Sequence, residues 1–215
     1  MNPRTIVGIG GFPDVPLAEY VLGFARGRRV LVDGTATPGY DGPPLELPGE
    51  LTSFSFWPWP PENLRELALS HDAILVCGGN TANMLAVWRT HGFDRILREA
   101  WEAGVVLFGW SAGMICWFEA GVTDSFGPEL AGMRDGLGLL PGSACPHYDG
   151  EERRRPVYTR LVEDGFPAGI ALDDGAAARF DGTELAEVVA STPGAGGYRV
   201  AADGEIPLET RALPR

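Results

Sequence analysis

Lysine is absent from this sequence of 215 residues, and all 17 basic side chains are arginines. That bias says little about function, but the shortage of positive charge limits the partners that the protein can bind. Aspartate and glutamate number 29, which gives a formal net charge of -12. Nucleic acids and anionic membranes would be repelled by such a protein, so we expect neither as a principal partner. A buried anion site built from one or two arginines stays compatible with this charge.

Long apolar runs are also absent. No run approaches the ~20 residues that a membrane-spanning helix needs. The apolar stretch at residues 6–11 is short, rich in glycine and followed at once by Pro13 and Asp14, which is unlike a signal peptide. We therefore expect a protein without a membrane segment.

Cysteine is limited to three widely spaced residues in apolar sequence, Cys77, Cys116 and Cys145. Their spacing matches neither a zinc site nor a disulfide framework, so we expect reduced thiols in the core of a cytoplasmic protein. A cysteine nucleophile is the functional alternative. No cluster of metal-ligating side chains is visible, and we expect neither a metal nor an organic cofactor.

The centre of the chain indicates the fold. Residues 73–77 and 105–108 are continuously apolar, which is typical of parallel strands covered on both faces. Helical patterns lie between them, one reaching Trp88 and one running from Phe93 to Trp101. This order predicts an α/β three-layer sandwich with a mostly parallel, doubly wound sheet and a site at the carboxyl ends of its strands. No linker is visible, so residues 1–215 are expected to form a single domain.

The flanking segments extend the same alternation of strands and helices. Strands are expected at residues 5–9, 29–32, 51–57 and 169–189, helices at 62–70 and 154–163, and a Pro- and Gly-rich loop at 35–49. Within the last strand region, Asp174-Gly175 and Asp181-Gly182 predict turns.

The residues Gly109, Ser111 and Gly113 form the Gly-x-Ser-x-Gly pattern of a nucleophile elbow. A serine on a very tight strand-to-helix turn presents its Oγ at the edge of the sheet, and small neighbours are needed because the backbone is crowded there. The pattern alone is weak, but here a buried strand precedes it and a run compatible with a helix follows. The alternative is a glycine-rich turn with an idle serine.

Ser111 requires a base, and His147 is the candidate because an expected strand ending at Cys145 would deliver it to the site. The other two histidines, His71 and His91, lie at predicted helix ends and suit ordinary capping. A histidine in an ordinary loop is the alternative for His147.

A carboxylate should orient the imidazole, and three candidates are near in sequence. Glu119 lies eight residues past Ser111, about 12 Å along the expected helix, and would point away. Asp124 follows that helix and can return to the end of the sheet. Asp149 lies two residues after His147 and would need an extended backbone to reach it. Asp124 is favoured and Asp149 stays open.

Two backbone groups are candidate donors to a developing oxyanion. One is the N–H of Ala112, which follows the nucleophile at the start of the expected helix. The other is the N–H of Gly79, because residues 78–81 end the neighbouring strand without side chains that would block an approach. A simple tight turn is the alternative for this Gly-Gly pair.

Four segments together resemble the peptidase E family, which includes the aspartyl dipeptidases and, more distantly, the cyanophycinases. They are Gly78-Gly79-Asn80-Thr81, residues 109–113, Thr123-Asp124-Ser125 and residues 145–149. The resemblance runs from about residue 74 to residue 175. It implies a fold like that of the class I glutamine amidotransferases, with Ser111, His147 and Asp124 matching the catalytic residues and Gly79 an oxyanion contributor. The spacing from Ser111 to Asp124 is slightly shorter than the family pattern.

The resemblance also implies a substrate. Peptidase E cleaves dipeptides with an N-terminal aspartate, and an arginine after the histidine loop recognises the acidic side chain. Arg153 matches that position, although residues 153–155 are all arginine and could be a solvated run balancing nearby glutamates. The expected function is a cytoplasmic serine peptidase that acts on small peptides, with a homodimer plausible by family likeness. A serine hydrolase with another substrate, such as a cyanophycin-like one, and a non-catalytic ligand-binding member are the alternatives.

Overall fold

The structure is a computed structural model of the chain and describes residues 4–37 and 46–214. Its strands are β1 Thr5–Ile9, β2 Arg29–Asp33, β3 Glu50–Phe54, β4 Ala73–Val76, β5 Val106–Trp110, β6 Phe118–Thr123, β7 Ala131–Met133, β8 Leu140–Cys145, β9 Gly169–Leu172, β10 Ala176–Asp181, β11 Glu184–Ala190, β12 Gly197–Ala201, β13 Gly204–Pro207 and β14 Thr210–Ala212. Its helices are α1 Val15–Leu22, α2 Leu64–Ser70, α3 Thr81–His91, α4 Phe93–Glu102, α5 Ala112–Ile115 and α6 Arg154–Glu163.

The larger sheet has eight strands in the order β14-β11-β10-β1-β5-β4-β2-β3. The five strands from β1 to β3 in that order are mutually parallel, so their carboxyl ends share one edge. β10 pairs antiparallel with β1 on the other side. Alternate residues of the central strands enter two separate cores, one shared with α2, α3 and α4 and the other with α1. Helices therefore cover both faces, and the predicted three-layer α/β fold is confirmed.

A second sheet contains six strands in the order β13-β12-β9-β8-β6-β7. Its central strands β6, β8 and β9 are parallel to one another. The helix α6 packs on it through Tyr158 and Val162, which join a third core with residues of β6, β8 and β9. This sheet matters for function because β8 and β9 end side by side, so the residues that follow them come close together.

The segment after Ser111 differs from the expected long helix. α5 is a single turn, and the chain then forms β6, which contains Glu119. The reason lies in packing: all four residues of α5 are buried, and β6 is buried along nearly its whole length beside β8. The interpretation that placed Glu119 on a long helix, with Asp124 just after its end, was wrong. Most of the other predicted elements are present, with ends shifted by a few residues.

Several smaller expectations can also be compared with the structure. Residues 38–45 of the predicted loop lie outside the described residues. All three cysteines are buried, as expected for core thiols. Burial raises the pKa of the Cys145 thiol to about 12 and raises that of Cys116 as well, so neither suits the role of a nucleophile. In the described ranges, 4–37 and 46–214, no helix has the length and apolar character needed to cross a bilayer.

Candidate active site

Ser111 occupies the tight turn that the sequence pattern predicts. β5 ends at Trp110, α5 begins at Ala112, and Ser111 between them has φ 53° and ψ -113°. An L-residue rarely adopts positive φ, because its β-carbon is crowded by the backbone, and such a conformation persists only where the surrounding structure enforces it. Ser111 is therefore held in a strained elbow at the carboxyl end of a central parallel strand.

Gly109 and Gly113 are glycines because a neighbouring carbonyl occupies the space beside them. A β-carbon on Gly109 would lie 2.5 Å from the Val76 carbonyl oxygen, and one on Gly113 would lie 2.1 Å from the same atom. Both distances are far inside van der Waals contact. The last carbonyl of β4 thus packs into the elbow, and any larger residue would push the turn that carries Ser111 away from the sheet.

The end of β1 holds the backbones of Ser111 and His147. The Ser111 N–H donates to the Ile9 carbonyl (3.3 Å), and the His147 N–H donates to the Gly10 carbonyl (3.2 Å). Adjacent residues of an extended strand present their hydrogen-bonding groups to opposite sides, so the serine and the histidine flank β1.

His147 also has a rare backbone conformation, with φ 52°. Among the residues that the structure describes, Ser111 and His147 are the two non-glycine residues with positive φ. The ring of His147 is mostly buried, and its Nδ1 lies 2.7 Å from Oδ1 of Asp174. Since a carboxylate can only accept, Nδ1 carries the proton and Nε2 presents a lone pair. This arrangement suits a general base.

The carboxylate that contacts the imidazole is Asp174, which neither the motifs nor the resemblance indicated. Asp124, favoured from the sequence, lies instead on the wall of a cavity beside Arg153. Asp149, the other candidate, accepts a hydrogen bond from the Asp174 N–H through its Oδ1 (2.8 Å). It therefore positions Asp174, which in turn contacts His147. Glu119 is exposed on β6 and accepts the Gly142 N–H (3.0 Å). In the candidate triad we therefore replace Asp124 with Asp174.

Two glycines make room for the Asp174 carboxylate. A β-carbon on Gly11 would lie 2.2 Å from its Oδ1, and one on Gly150 would lie 2.2 Å from its Oδ2. Asp174 follows β9 by two residues, and His147 follows the parallel neighbour β8 by two. The signal was thus present in the sequence as an acidic residue just past an apolar strand, but the following Gly175 led to its interpretation as part of a turn.

Gly79 and Ala112 supply the candidate oxyanion donors. Neither backbone N–H donates a hydrogen bond to another group within the described part of the chain. Gly79 has φ +132°, and Gly78 beside it lies against Ser111, because a β-carbon on Gly78 would be 3.2 Å from that of Ser111. The helix that begins at Ala112 is only one turn long, so its dipole adds little and the N–H itself is the useful group.

A cavity of about 340 Å³ is lined by Asp124, Pro128, Leu130, Glu151, Glu152 and Arg153. One of these residues, Glu151, is bonded to the histidine loop, because its N–H donates to the His147 carbonyl (3.1 Å). Arg153 is more than half exposed and donates to Glu129 Oε2 (2.7 Å) and to the Pro128 carbonyl (2.9 Å). The other two arginines of the run face elsewhere. Arg154 is buried against Glu151 and the Val122 carbonyl, and Arg155 pairs with Glu205. Of the three arginines, Arg153 alone lines the cavity.

The part of the chain that the structure describes holds no group of three or more His, Cys, Asp or Glu side chains placed to bind a metal ion. The polar groups of the site are a hydroxyl, an imidazole hydrogen-bonded to a carboxylate, and the backbone N–H groups of Gly79 and Ala112. Together these are the elements of acyl transfer through a serine nucleophile.

Comparison with known proteins gives relatives of one kind. The family described as peptidase family S51 matches residues 46–188. A Bacillus subtilis protein named uncharacterized peptidase YgaJ is 50% identical over 159 residues, which cover 72% of this chain and 68% of that protein. A peptidase E from Shewanella denitrificans is 30% identical over 149 residues, which cover 65% of this chain and 62% of the relative.

Solved structures agree on the fold. The crystal structure of a peptidase from an acI-B1 actinobacterium superposes with a TM-score of 0.65, covering 97% of this chain and 95% of the other. Sequence identity between the two is 16%, so this likeness concerns the fold alone.

The packing of the elbow against β4 gives a prediction for stability. The substitution Gly113→Ala should lower the free energy of unfolding by about 3 kcal/mol, because the added methyl overlaps the Val76 carbonyl and the backbone must shift. Gly182→Ala is the control, since a β-carbon on Gly182 would meet open space and its only cost comes from a positive φ (62°), which Gly113 does not have. That substitution should lower the free energy of unfolding by about 1 kcal/mol, which is the cost of placing alanine in a left-handed backbone conformation. Urea denaturation measures both, and equal losses would contradict the packing argument.

Proposed function

Because this chain belongs to peptidase family S51 and is a peptidase, we propose that it is a serine peptidase that hydrolyses small peptides through an acyl-enzyme on Ser111. Dipeptides with an N-terminal aspartate are the proposed substrates. The observation that carries the proposal is the hydrogen bond from His147 Nδ1 to Asp174, next to a serine held in a strained elbow. Location in the cytoplasm, assembly as a homodimer and a single-domain chain stay predictions from the sequence.

The proposed reaction begins with proton transfer from the Ser111 hydroxyl to Nε2 of His147 as Oγ attacks the peptide carbonyl carbon. The carbonyl oxygen becomes an oxyanion that the N–H groups of Gly79 and Ala112 can stabilise, and Asp174 stabilises the imidazolium. The C–N bond then breaks, and the imidazolium gives its proton to the departing amine. Water attacks the ester by the same route in reverse, which releases the acid and restores Ser111.

Arg153 supports the proposed preference for an acidic residue. Its guanidinium already binds one carboxylate, that of Glu129, and a planar guanidinium binds carboxylates with defined geometry. A substrate aspartate would take the place of Glu129. The pair of Arg153 and Glu129 is well exposed, so it is weak and easily exchanged. The carboxylates of Asp124 and Glu152 in the same cavity would attract the α-ammonium group of a free N-terminus.

The identity of the third triad residue gives the first test of this proposal. Asp174→Asn should lower kcat on an aspartyl dipeptide by about 10⁴, because the imidazole would lose the acceptor that fixes its tautomer. Asp124→Asn should change KM rather than kcat, because Asp124 lines the cavity. Asp135→Asn, at an exposed carboxylate that pairs with Arg89, is the matched control and should leave both unchanged. A fluorophosphonate should label the protein at one site and should not label Ser111→Ala. Labelling that survives this substitution would refute a serine enzyme based on residue 111.

The specificity of the cavity gives the second test. Arg153→Ala should raise KM for an Asp-headed dipeptide by about 10-fold or more, since a charge-assisted hydrogen bond to a carboxylate is worth about 1.5–3 kcal/mol. A dipeptide with a neutral N-terminal residue should be hydrolysed as before. Arg160→Ala, at a well-exposed arginine of α6, serves as the control. Steady-state kinetics on both substrates measures the effect, and an unchanged preference for Asp would show that Arg153 is not the clamp.

A further inference from the structure

The loop after β2 contacts the Gly78-Gly79 pair directly. The Thr37 hydroxyl donates to the Gly78 carbonyl at 2.7 Å, and the Asn80 N–H donates to the Ala36 carbonyl at 2.7 Å. These two bonds lie on either side of Gly79. The two peptides that flank the Gly79 α-carbon are therefore each bonded to one short segment, residues 36–37, and the peptide between Gly78 and Gly79 is held through its carbonyl.

The orientation of that peptide decides where the Gly79 N–H points. In a trans peptide the C=O and the following N–H point in opposite directions. Because the Gly78 C=O is directed at Thr37, the Gly79 N–H is directed away from Thr37. Ser111 lies against Gly78, with 3.2 Å between its β-carbon and the position of a β-carbon on Gly78. The hydroxyl of Thr37 thus sets the direction of an N–H group at the edge of the nucleophile.

Close packing explains why this orientation needs glycine as well as Thr37. A β-carbon on Gly79 would lie 2.3 Å from the Ala36 carbonyl oxygen and 2.7 Å from the Thr37 hydroxyl. The positive φ of Gly79 is also unfavourable for other residues. The absence of a side chain lets the loop approach closely enough for its hydrogen bonds to form, and those bonds then fix a residue that would otherwise be the most flexible in the site.

The loop itself is anchored in the core by Asp33, the last residue of β2. Its Oδ1 accepts from the Thr35 N–H (3.1 Å) and from the Thr35 hydroxyl, and its Oδ2 accepts from Trp88 Nε1 (2.9 Å). Asp33 is fully buried, and that burial raises its pKa to about 6 in spite of these hydrogen bonds. A buried carboxyl with three donors keeps a fixed position, so the loop starts from a rigid base.

We propose that Thr37 is a positioning residue of the oxyanion hole, which holds the peptide between Gly78 and Gly79 so that the Gly79 N–H faces the developing negative charge. This inference rests on the proposed function of Ser111 and Gly79. Without the hydroxyl, the peptide can rotate and the N–H loses its fixed direction. The ground-state substrate carries no oxyanion, so its binding changes little.

The test uses Thr37→Val, which removes the hydroxyl but keeps the shape, and Thr37→Ser, which restores it. On an N-terminal aspartyl p-nitroanilide, Thr37→Val should lower kcat by about 10- to 100-fold with KM nearly unchanged, which is somewhat less than the loss of a whole oxyanion donor. Thr37→Ser should recover most of that loss. Thr90→Val is the matched control, because the Thr90 hydroxyl also donates to a backbone carbonyl (2.9 Å), away from the site.

Affinity for a transition-state analogue gives a second readout, which would not change if Thr37 only stabilised the fold. A peptide aldehyde forms a hemiacetal with a serine and places an oxyanion in the hole, so its affinity should fall by the same factor as kcat. The rate of labelling by a fluorophosphonate should fall in parallel, which keeps the test valid if the p-nitroanilide is a poor substrate. The inference would be overturned if Thr37→Val kept the wild-type kcat and labelling rate, or if it changed only KM. It would also be overturned if Thr37→Ser did not recover the kcat that Thr37→Val loses.

The failure of this inference can be told apart from the failure of the proposed function. If Ser111→Ala retains activity and fluorophosphonate labelling, the serine mechanism itself is wrong. If Ser111→Ala is inactive while Thr37→Val reacts like the unmodified enzyme, the serine mechanism stands and only the role of Thr37 is refuted.

Discussion

The end of strand β1 is the constraint on which the whole site depends. The Ile9 carbonyl accepts a hydrogen bond from the Ser111 N–H, and the Gly10 carbonyl accepts one from the His147 N–H. The Gly10 N–H in turn donates to the Ala176 carbonyl. A β-carbon on Gly10 would lie 2.2 Å from the Asp173 carbonyl oxygen, so glycine lets that segment approach. Segments that are distant in sequence thus meet at Ile9, the last residue of β1, and at Gly10, which follows it. The larger sheet supplies the proposed nucleophile, Ser111, and the smaller sheet supplies His147 and the carboxylate of Asp174.

This meeting of strand ends also explains where backbone strain is found. Ser111 and His147 both have positive φ, a conformation that costs an ordinary residue about 1–3 kcal/mol. Each is held by a backbone hydrogen bond to β1, and the elbow is further fixed by the contact of Gly109 and Gly113 with Val76. The ends of the sheets therefore hold both strained residues in place.

The sequence predicted the local features well and the tertiary ones less well. Ser111 and its strand were recognisable because the elbow is a short-range pattern next to a continuous apolar run. Asp174 was missed because it reaches His147 only through the pairing of β8 with β9, and a local sequence pattern does not show which strands pair. In addition, an Asp-Gly pair resembles an ordinary turn. Asp124 was favoured by assuming a long helix after Ser111. That segment instead joins the second sheet, because its buried residues pack beside β8.

The tautomer of His147 tests the central claim most directly. The chain has three histidines, so the imidazole resonances of a ¹⁵N-histidine sample can be assigned by substituting His71 and His91. At a pH where the ring is neutral, the account predicts that His147 carries its proton on Nδ1, which is bonded to Asp174, and leaves Nε2 free to accept from Ser111. A ring protonated on Nε2, or one whose tautomer is unaffected by Asp174→Asn, would contradict it.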